Sequence, residues 1–299
     1  MIKIFPLILE LNIFNSFFYF FINNKFQLNS NYYFIIFNYF IAIVIIMIDT
    51  HCHIDFDEFE EDRDDVIARA KEKLSAVINS GYGLESNEKV LALSREYEGF
   101  VYPTFGFHPV SSQNSPQEEI DGAHKQMIEH LDEILAIGEV GMDFFYCTDK
   151  TLRARQQEIF TGFVELANEY EKPLLIHGRD CEKKIFNLLK SYDNIPKVIF
   201  HCYGGSLKTA RKILDMEDYY LSCSTMVCYS QRHQDLFKEI PIERILTETD
   251  SPYLAMTRDE RNEPANVAMA VEKLAELHKI SVDDVGQQTE KNARYVFDI

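Results

Sequence analysis

The stretch Met47-Ile48-Asp49-Thr50-His51-Cys52-His53-Ile54 decides how the rest of the chain is read. It begins apolar and ends with two histidines spaced by one residue. Side chains alternate between faces along a strand, so His51 and His53 point one way and Cys52 the other. An H-x-H pair alone is a weak signal in a chain with nine histidines. Its weight comes from what surrounds it.

Working outward, short apolar segments recur along the chain. Strand candidates are Met47–Ile54, Leu74–Ser80, Gly99–Phe107, Ile134–Gly141, Pro173–His177, Lys197–Cys202, Tyr219–Cys223 and Arg244–Asp250. Several are continuous apolar runs, as parallel strands covered on both faces require. Amphipathic stretches lie between or after them at Asp62–Lys73, Leu152–Tyr170, Ser206–Leu214, Asn266–His278 and Ser281–Phe297. Strands alternating with helices at a repeat of roughly 30 residues predict an α/β fold, a (β/α)8 TIM-type barrel. A doubly wound open sheet is the alternative. No G-x-G-x-x-G follows the first strand and no G-x-x-x-x-G-K-[ST] occurs, which removes the main support for dinucleotide and P-loop functions.

Barrel active sites sit at the C-terminal strand ends. Strand 1 ends in His51 and His53, strand 3 in His108, strand 4 in Glu139 and Asp143, strand 5 in His177 and Arg179, strand 6 in His201, and strand 8 in Asp250. Imidazoles and carboxylates gathered at one end suit zinc, manganese or similar divalent ions. His124, His130, His233 and His278 fall in helical stretches and are expected to be solvated surface residues.

The formal net charge of -18 argues against broad, non-specific binding of nucleic acid, which needs a basic surface. Positive charge for a polyanionic substrate must be local. The six cysteines form no C-x-x-C pair and read as reduced thiols of a cytoplasmic protein.

Residues 1–46 differ in kind, being dominated by Phe, Ile, Asn and Tyr, residues written by A/T-only codons. They read as a spurious or disordered extension translated upstream of a start at Met47. The alternative is a membrane or targeting segment, since Tyr32 to Ile48 is almost entirely apolar and a short span needs about 17 such residues. That run, however, abuts the histidine-bearing strand without a linker. The domain is therefore expected to be 47–299, with no membrane association and no stable protein partner.

The ordered motifs M-I-D-T-H-C-H at Met47–His53, G-F-H-P at Gly106–Pro109, G-E-V-G-M-D at Gly138–Asp143, P-L-L-I-H-G-R at Pro173–Arg179, H-C-Y-G-G at His201–Gly205 and E-T-D-S-P-Y-L at Glu248–Leu254 resemble those of the TatD family of metal-dependent deoxyribonucleases, amidohydrolase-like barrels. The later N-E-P at Asn262–Pro264 and N-A-R at Asn292–Arg294 also fit. The resemblance implies that His51, His53 and Asp250 hold one divalent ion, that His177 and His201 hold a second, and that Glu139 bridges the two. It implies a metal-dependent phosphodiester hydrolase, a DNase of 3′–5′ exonuclease type using a metal-activated water, with RNA a further substrate. The ions are Mg, Mn or Zn. Nucleic acid ends or single strands are the expected partners. Ala255–Arg261 departs from the family's usual turn, which bears on substrate preference.

Within that frame, two ions can clamp the attacking and leaving oxygens of phosphoryl transfer. Asp250 is expected to accept the water's proton. Arg179, with its planar fork, and His108 are candidates to grip the scissile phosphate. Asp143 is expected to orient a ligand. Phe144, Phe145, Tyr146, Tyr203 and Tyr253 are candidates to stack on unpaired bases, Tyr203 and Tyr253 as substrate contacts. The competing readings are a metal-dependent amide or ester hydrolase, such as an aminoacyl-tRNA deacylase, and a non-catalytic metal-binding protein. Glu139 in place of a lysine favours the phosphodiesterase, and the full set of ligand positions disfavours the non-catalytic protein.

Overall fold

Strand β1 (Ile48–Cys52) starts a run of eight parallel strands, followed by β2 (Ala76–Ser80), β3 (Val101–Thr104), β4 (Ile137–Asp143), β5 (Leu174–Arg179), β6 (Val198–Phe200), β7 (Tyr219–Ser224) and β8 (Ile245–Glu248). The computed structural model describes residues 47–299, and the reading of residues 1–46 as an extension or a membrane segment lies outside the described residues. The strands pair in sequence order as β1-β2-β3 and β4-β5-β6-β7-β8. Backbone bonds join the two sheets at both seams. Between β3 and β4, Leu135 N donates to Pro103 O at 2.9 Å and Gly138 N to Phe105 O at 2.7 Å. Between β8 and β1, Asp250 N donates to His51 O at 2.9 Å and His53 N to Ser251 O at 2.8 Å. The α/β barrel expected from the sequence is the fold, and the open doubly wound sheet is not.

The helices between and after the strands are α1 (Arg63–Lys71), α2 (Leu84–Glu96), the short α3 (Pro109–Ser112), α4 (Gln117–Glu129), α5 (Lys150–Glu169), α6 (Glu182–Leu189), α7 (Leu207–Leu214), α8 (Gln231–Phe237), α9 (Val267–His278) and α10 (Val282–Phe297). Side-chain oxygens set several starts. Asp149 accepts from the backbone N–H of Thr151 and Leu152, Ser206 from Thr209 and Ser281 from Asp284. The apolar pattern misses α2, the short α3, α4, α6 and α8. α4 shows why: only Ile120, Ala123 and Met127 are buried along its 13 residues, too thin a stripe to stand out.

Two apolar layers arise from strand alternation. Ile48, Ile78, Leu175, Ile199 and Leu246 pack inside the ring with Ala293, Val296 and Phe297 of α10, opposite the catalytic end. Cys52, Val77, Ile176, Phe200 and Ile245 face the helices. The alternation breaks twice. The register shifts between Asp49 and Cys52 in β1 and between Ile137 and Val140 in β4. Each irregularity reverses the parity of the residues after it. Beyond the first, His51 and His53 share the inner side with Ile48; beyond the second, Val140 stays outward with Ile137 while Glu139 turns inward.

Gly141 permits this close packing. Its φ is 155°, and a Cβ there would overlap the His177 carbonyl. Gly141→Ala is expected to cost about 1–3 kcal/mol, a fall of roughly 3–10 °C in thermal midpoint. Gly122 inside α4 offers the contrast, since its Cβ would meet only Leu84 at 3.5 Å. Gly122→Ala is expected to stabilise by about 0.5–1 kcal/mol. Thermal unfolding of the two variants checks both signs.

The helical histidines are less exposed than expected. His233 is buried, with Nδ1 at 2.8 Å from Ser230 Oγ, and His278 Nε2 lies 3.0 Å from Phe237 O. His124 packs its ring on Phe163, and His130 pairs with Glu133 at 2.8 Å. His233 and His278 thus tie down their helices, while His130 stays partly exposed.

Candidate metal centre

Side chains from β1, β4, β5, β6, the β3–α3 loop and the turn after β8 converge at the C-terminal mouth. His51 and His53 come first. His51 Nδ1 sits 3.1 Å from Ser80 Oγ and His53 Nδ1 2.8 Å from Ser80 O, so Ser80 at the end of β2 turns both Nε2 atoms inward. Those Nε2 atoms lie 3.1 Å apart. Both are 3.6 Å from Glu139 Oε2, and they stand 3.5 and 3.7 Å from Asp250 Oδ1.

The other Glu139 oxygen faces a different set. Oε1 lies 2.6 Å from His177 Nδ1, 3.0 Å from His201 Nε2 and 3.7 Å from His108 Nε2. The two oxygens of one buried carboxylate thus face different imidazoles, with His201 within reach of both sets. His51, His53 and Glu139 have ligand atoms within 4.8 Å of one another, as do His51, His201 and Asp250, and His108, Glu139 and His177. Nitrogen and oxygen donors crowded this closely, most of them buried, match the donor set of a borderline divalent cation. The residues present therefore fit a metal.

Outer partners fix the rings. Asp143 Oδ2 lies 3.0 Å from His177 Nε2, which leaves Nδ1 for Glu139. Glu248 Oε1 lies 3.3 Å from His201 Nδ1 and accepts from Cys202 N at 2.6 Å, while its Oε2 is buried without a partner. Carboxylates behind histidines set tautomer and orientation. Glu248→Gln is expected to weaken metal affinity about 10–100-fold, read by metal titration of the variant against the wild-type chain. An unchanged affinity would remove Glu248 from the site.

Electrostatics follow the same plan. Burial drives His51 well below its ordinary value, and neighbouring His201 adds to this. Burial also lowers His108, to about 4. Burial raises Glu139, but the surrounding histidines outweigh it and hold the carboxyl well below its usual range. Burial opposes charge on His201 and His177 as well, yet Glu139 with Glu248 raises the first and Asp143 with Glu139 raises the second. Burial lifts Asp250 to about 6 despite His201 and His53. Asp250 holds a left-handed φ of 55°, a conformation that aspartate tolerates. Its turn is braced by Asn262, whose Nδ2 donates to Thr249 O at 3.1 Å.

Of the residues singled out from sequence, His51, His53, His108, Glu139, His177, His201 and Asp250 are brought together. Arg179 and Tyr253 stand at the rim. The segment Ala255–Arg261 is anchored beside it by Arg261, which pairs with Asp62 at 2.6 Å. Tyr203 is a correction. It is 1% exposed and its hydroxyl donates to Ser206 O at 3.0 Å, so it is a core residue that cannot touch substrate. The H-C-Y-G-G motif placed it near the mouth, but the chain turns at His201 and Cys202 and carries the ring inward. Sequence reasoning passed over Ser80 and gave Glu248 no role. Their signals were available: Ser80 ends a strand whose end was not read, and Glu248 lies two residues before Asp250, on the same face.

Known proteins resemble this chain along nearly the whole of the described barrel. The sequence profile described as TatD related DNase matches residues 48–298. An uncharacterized metal-dependent hydrolase of Methanocaldococcus jannaschii is 38% identical over 245 residues, covering 82% of this chain and 94% of that protein. Human deoxyribonuclease TATDN3 is 32% identical over 262 residues, covering 84% and 94%. Among solved structures, the TatD homolog YJJV of Escherichia coli K12 superposes with a TM-score of 0.78 at 26% identity, covering 85% of this chain and 98% of that one. An Entamoeba histolytica TatD family hydrolase gives 0.76 at 22% identity, which speaks for the fold. The chain belongs to the TatD-related DNase family and is a hydrolase of that family.

Proposed function

We propose that this chain is a two-metal phosphodiester hydrolase that shortens DNA from its 3′ end, with RNA a secondary substrate. The division of the Glu139 carboxylate carries this reading, because a single carboxylate whose oxygens address separate donor sets is what a bridged ion pair requires. His51, His53, Asp250 and Glu139 Oε2 would hold one ion, and His177, His201 and Glu139 Oε1 the other. When bound, such ions offset charge on phosphate oxygens and acidify a water.

The chain's own groups complete the chemistry. Asp250 stands beside His51 and His53 with its carboxylate turned to the same point, placed to take a proton from the attacking water. His108 Nδ1 accepts from Val110 N at 3.3 Å, so the neutral ring carries its hydrogen on Nε2, facing Glu139 and free to donate to a phosphate oxygen. Arg179 brings a fixed positive charge to a chain whose net charge is -18. With acidic residues outnumbering basic ones 48 to 30, a long duplex is not held by charge, and ends or single strands are the substrates. Among the described residues no helix is long and apolar enough to cross a membrane. A cytoplasmic enzyme is the reading we adopt.

The test uses the full chain stripped with chelator, then supplied with Mg, Mn or Zn and offered single-stranded DNA, RNA and an acylated tRNA. Labelled DNA should shorten stepwise from its 3′ end only when metal is present. Deacylation of the tRNA with intact DNA would replace this reading by the ester-hydrolase one. Metal binding should also be visible in stability. At a thousandfold excess over Kd it contributes about 4 kcal/mol, a rise of roughly 8–16 °C in thermal midpoint for a domain of this size. No shift with any of the three ions would sink the metal centre itself.

A further inference from the structure

The loop after β4 presents an apolar tip where none is needed for folding. Phe145 and Tyr146 are 52% and 66% exposed, their rings edge to face with centroids 5.0 Å apart. Exposed aromatic tips ordinarily sit on slack loops, but this one is fastened throughout. Phe144 N donates to Arg179 O at 2.8 Å, Tyr146 N to Asp143 Oδ1 at 2.7 Å, and Arg153 donates to Phe144 O at 2.7 Å and Cys147 O at 2.6 Å. Ordering a segment costs conformational entropy, so a pinned loop that leaves two rings in water is preorganised for something that covers them.

What covers them is indicated by charge and place. The Arg179 guanidinium lies 3.8 Å from the Phe145 ring centroid and 5.0 Å from that of Tyr146, with no carboxylate in ion-pair contact among the described residues. Lys184 lies 5.8 Å from the Phe144 ring. This pairing of cation and exposed rings suits a ligand that is both anionic and planar. The corner is also wired to the metal centre. Asp143 takes Tyr146 N on Oδ1 and meets His177 Nε2 with Oδ2 at 3.0 Å. Tyr253 and Phe56 stand on the opposite flank, where Phe56 stacks on His53 with centroids 4.6 Å apart.

We propose that Phe145 and Tyr146, with Arg179 beside them, form a subsite that stacks an unpaired nucleobase next to the scissile phosphate. The subsite rests on the phosphodiesterase reading above and adds to it a requirement for a base freed from its partner strand. Stacking on aromatic side chains is tolerant of sequence, so the subsite selects for single-strandedness and not for a particular base.

Binding is measured with the full chain and a short single-stranded DNA carrying 2-aminopurine near its 3′ end, against the same strand with an abasic residue there. Wild type should bind the base-bearing strand about tenfold more tightly and quench its fluorescence. The Phe145→Ala/Tyr146→Ala variant should lose both the preference and the quench, and Phe145→Trp/Tyr146→Trp should keep them. Equal binding of the two strands by wild type, or a tenfold preference surviving in the alanine variant, overturns the subsite. If wild type meanwhile shortens DNA with metal, the hydrolase reading stands alone; if it neither binds nor shortens nucleic acid, both fall together.

Discussion

Glu139→Gln is expected to lower the rate of hydrolysis by about 10³-fold or more and, on the two-ion reading proposed above, to leave the chain holding one divalent ion in place of two. The carboxylate is the one group whose two oxygens face both donor sets, at 3.6 Å from the His51 and His53 Nε2 atoms and at 2.6 and 3.0 Å from His177 and His201. Glutamine matches it in shape but has one oxygen and no charge. Whichever way the amide turns, one histidine set faces an N–H₂ donor that cannot ligate a cation. With its oxygen turned to His51 and His53, the His177 and His201 set keeps only two donors, too few to compete with water. Loss of an ion removes several kcal/mol of charge stabilisation from the transition state, and about 4 kcal/mol corresponds to 10³ in rate. Metal content of the purified variant and its kcat/KM are the two readouts. A variant with two ions and activity within tenfold of wild type would dismiss the bridging role.

How far the sequence disclosed this arrangement depends on which physical signal is asked. Parallel strands buried on both faces leave continuous apolar runs, and the eight strands were legible for that reason. The donors at their ends were legible because strand ends are where a barrel does its chemistry. The inward turn of Glu139 was not derivable from alternation. Ile137 and Val140 are both outward, three residues apart, and only the break in register between them frees Glu139 to point in. A pattern of period two cannot announce its own interruption. Tyr203 shows the reverse failure, since its place in a motif says nothing about the side on which the following turn leaves a ring. Ser80 escaped notice because a serine at a strand end carries no distinctive chemistry until two imidazoles are seen resting against it.

Asp250→Asn is the substitution expected to separate ligand from base. The turn that aims the side chain does not depend on the carboxylate: Asp250 N bonds His51 O at 2.9 Å, and Asn262 holds Thr249 O at 3.1 Å and, through its own N–H, Pro252 O at 3.0 Å. The asparagine therefore takes the same position, with φ in the left-handed region that asparagine tolerates as well as aspartate. Its amide oxygen remains a donor for a cation, and His51, His53 and Glu139 still surround the same point. Both ions should be retained, at weakened affinity. An amide oxygen cannot take up a proton near neutral pH, however, so the step that requires a base is lost. General-base contributions run at about 10²–10⁴-fold, and the loss should fall on kcat with KM changed by less than about threefold. Metal analysis alongside steady-state kinetics distinguishes the outcomes. Two ions with kcat down at least a hundredfold assigns proton transfer to Asp250. One ion lost with kcat makes it a ligand first, and two ions with kcat within tenfold returns the proton to another group at the mouth of the barrel.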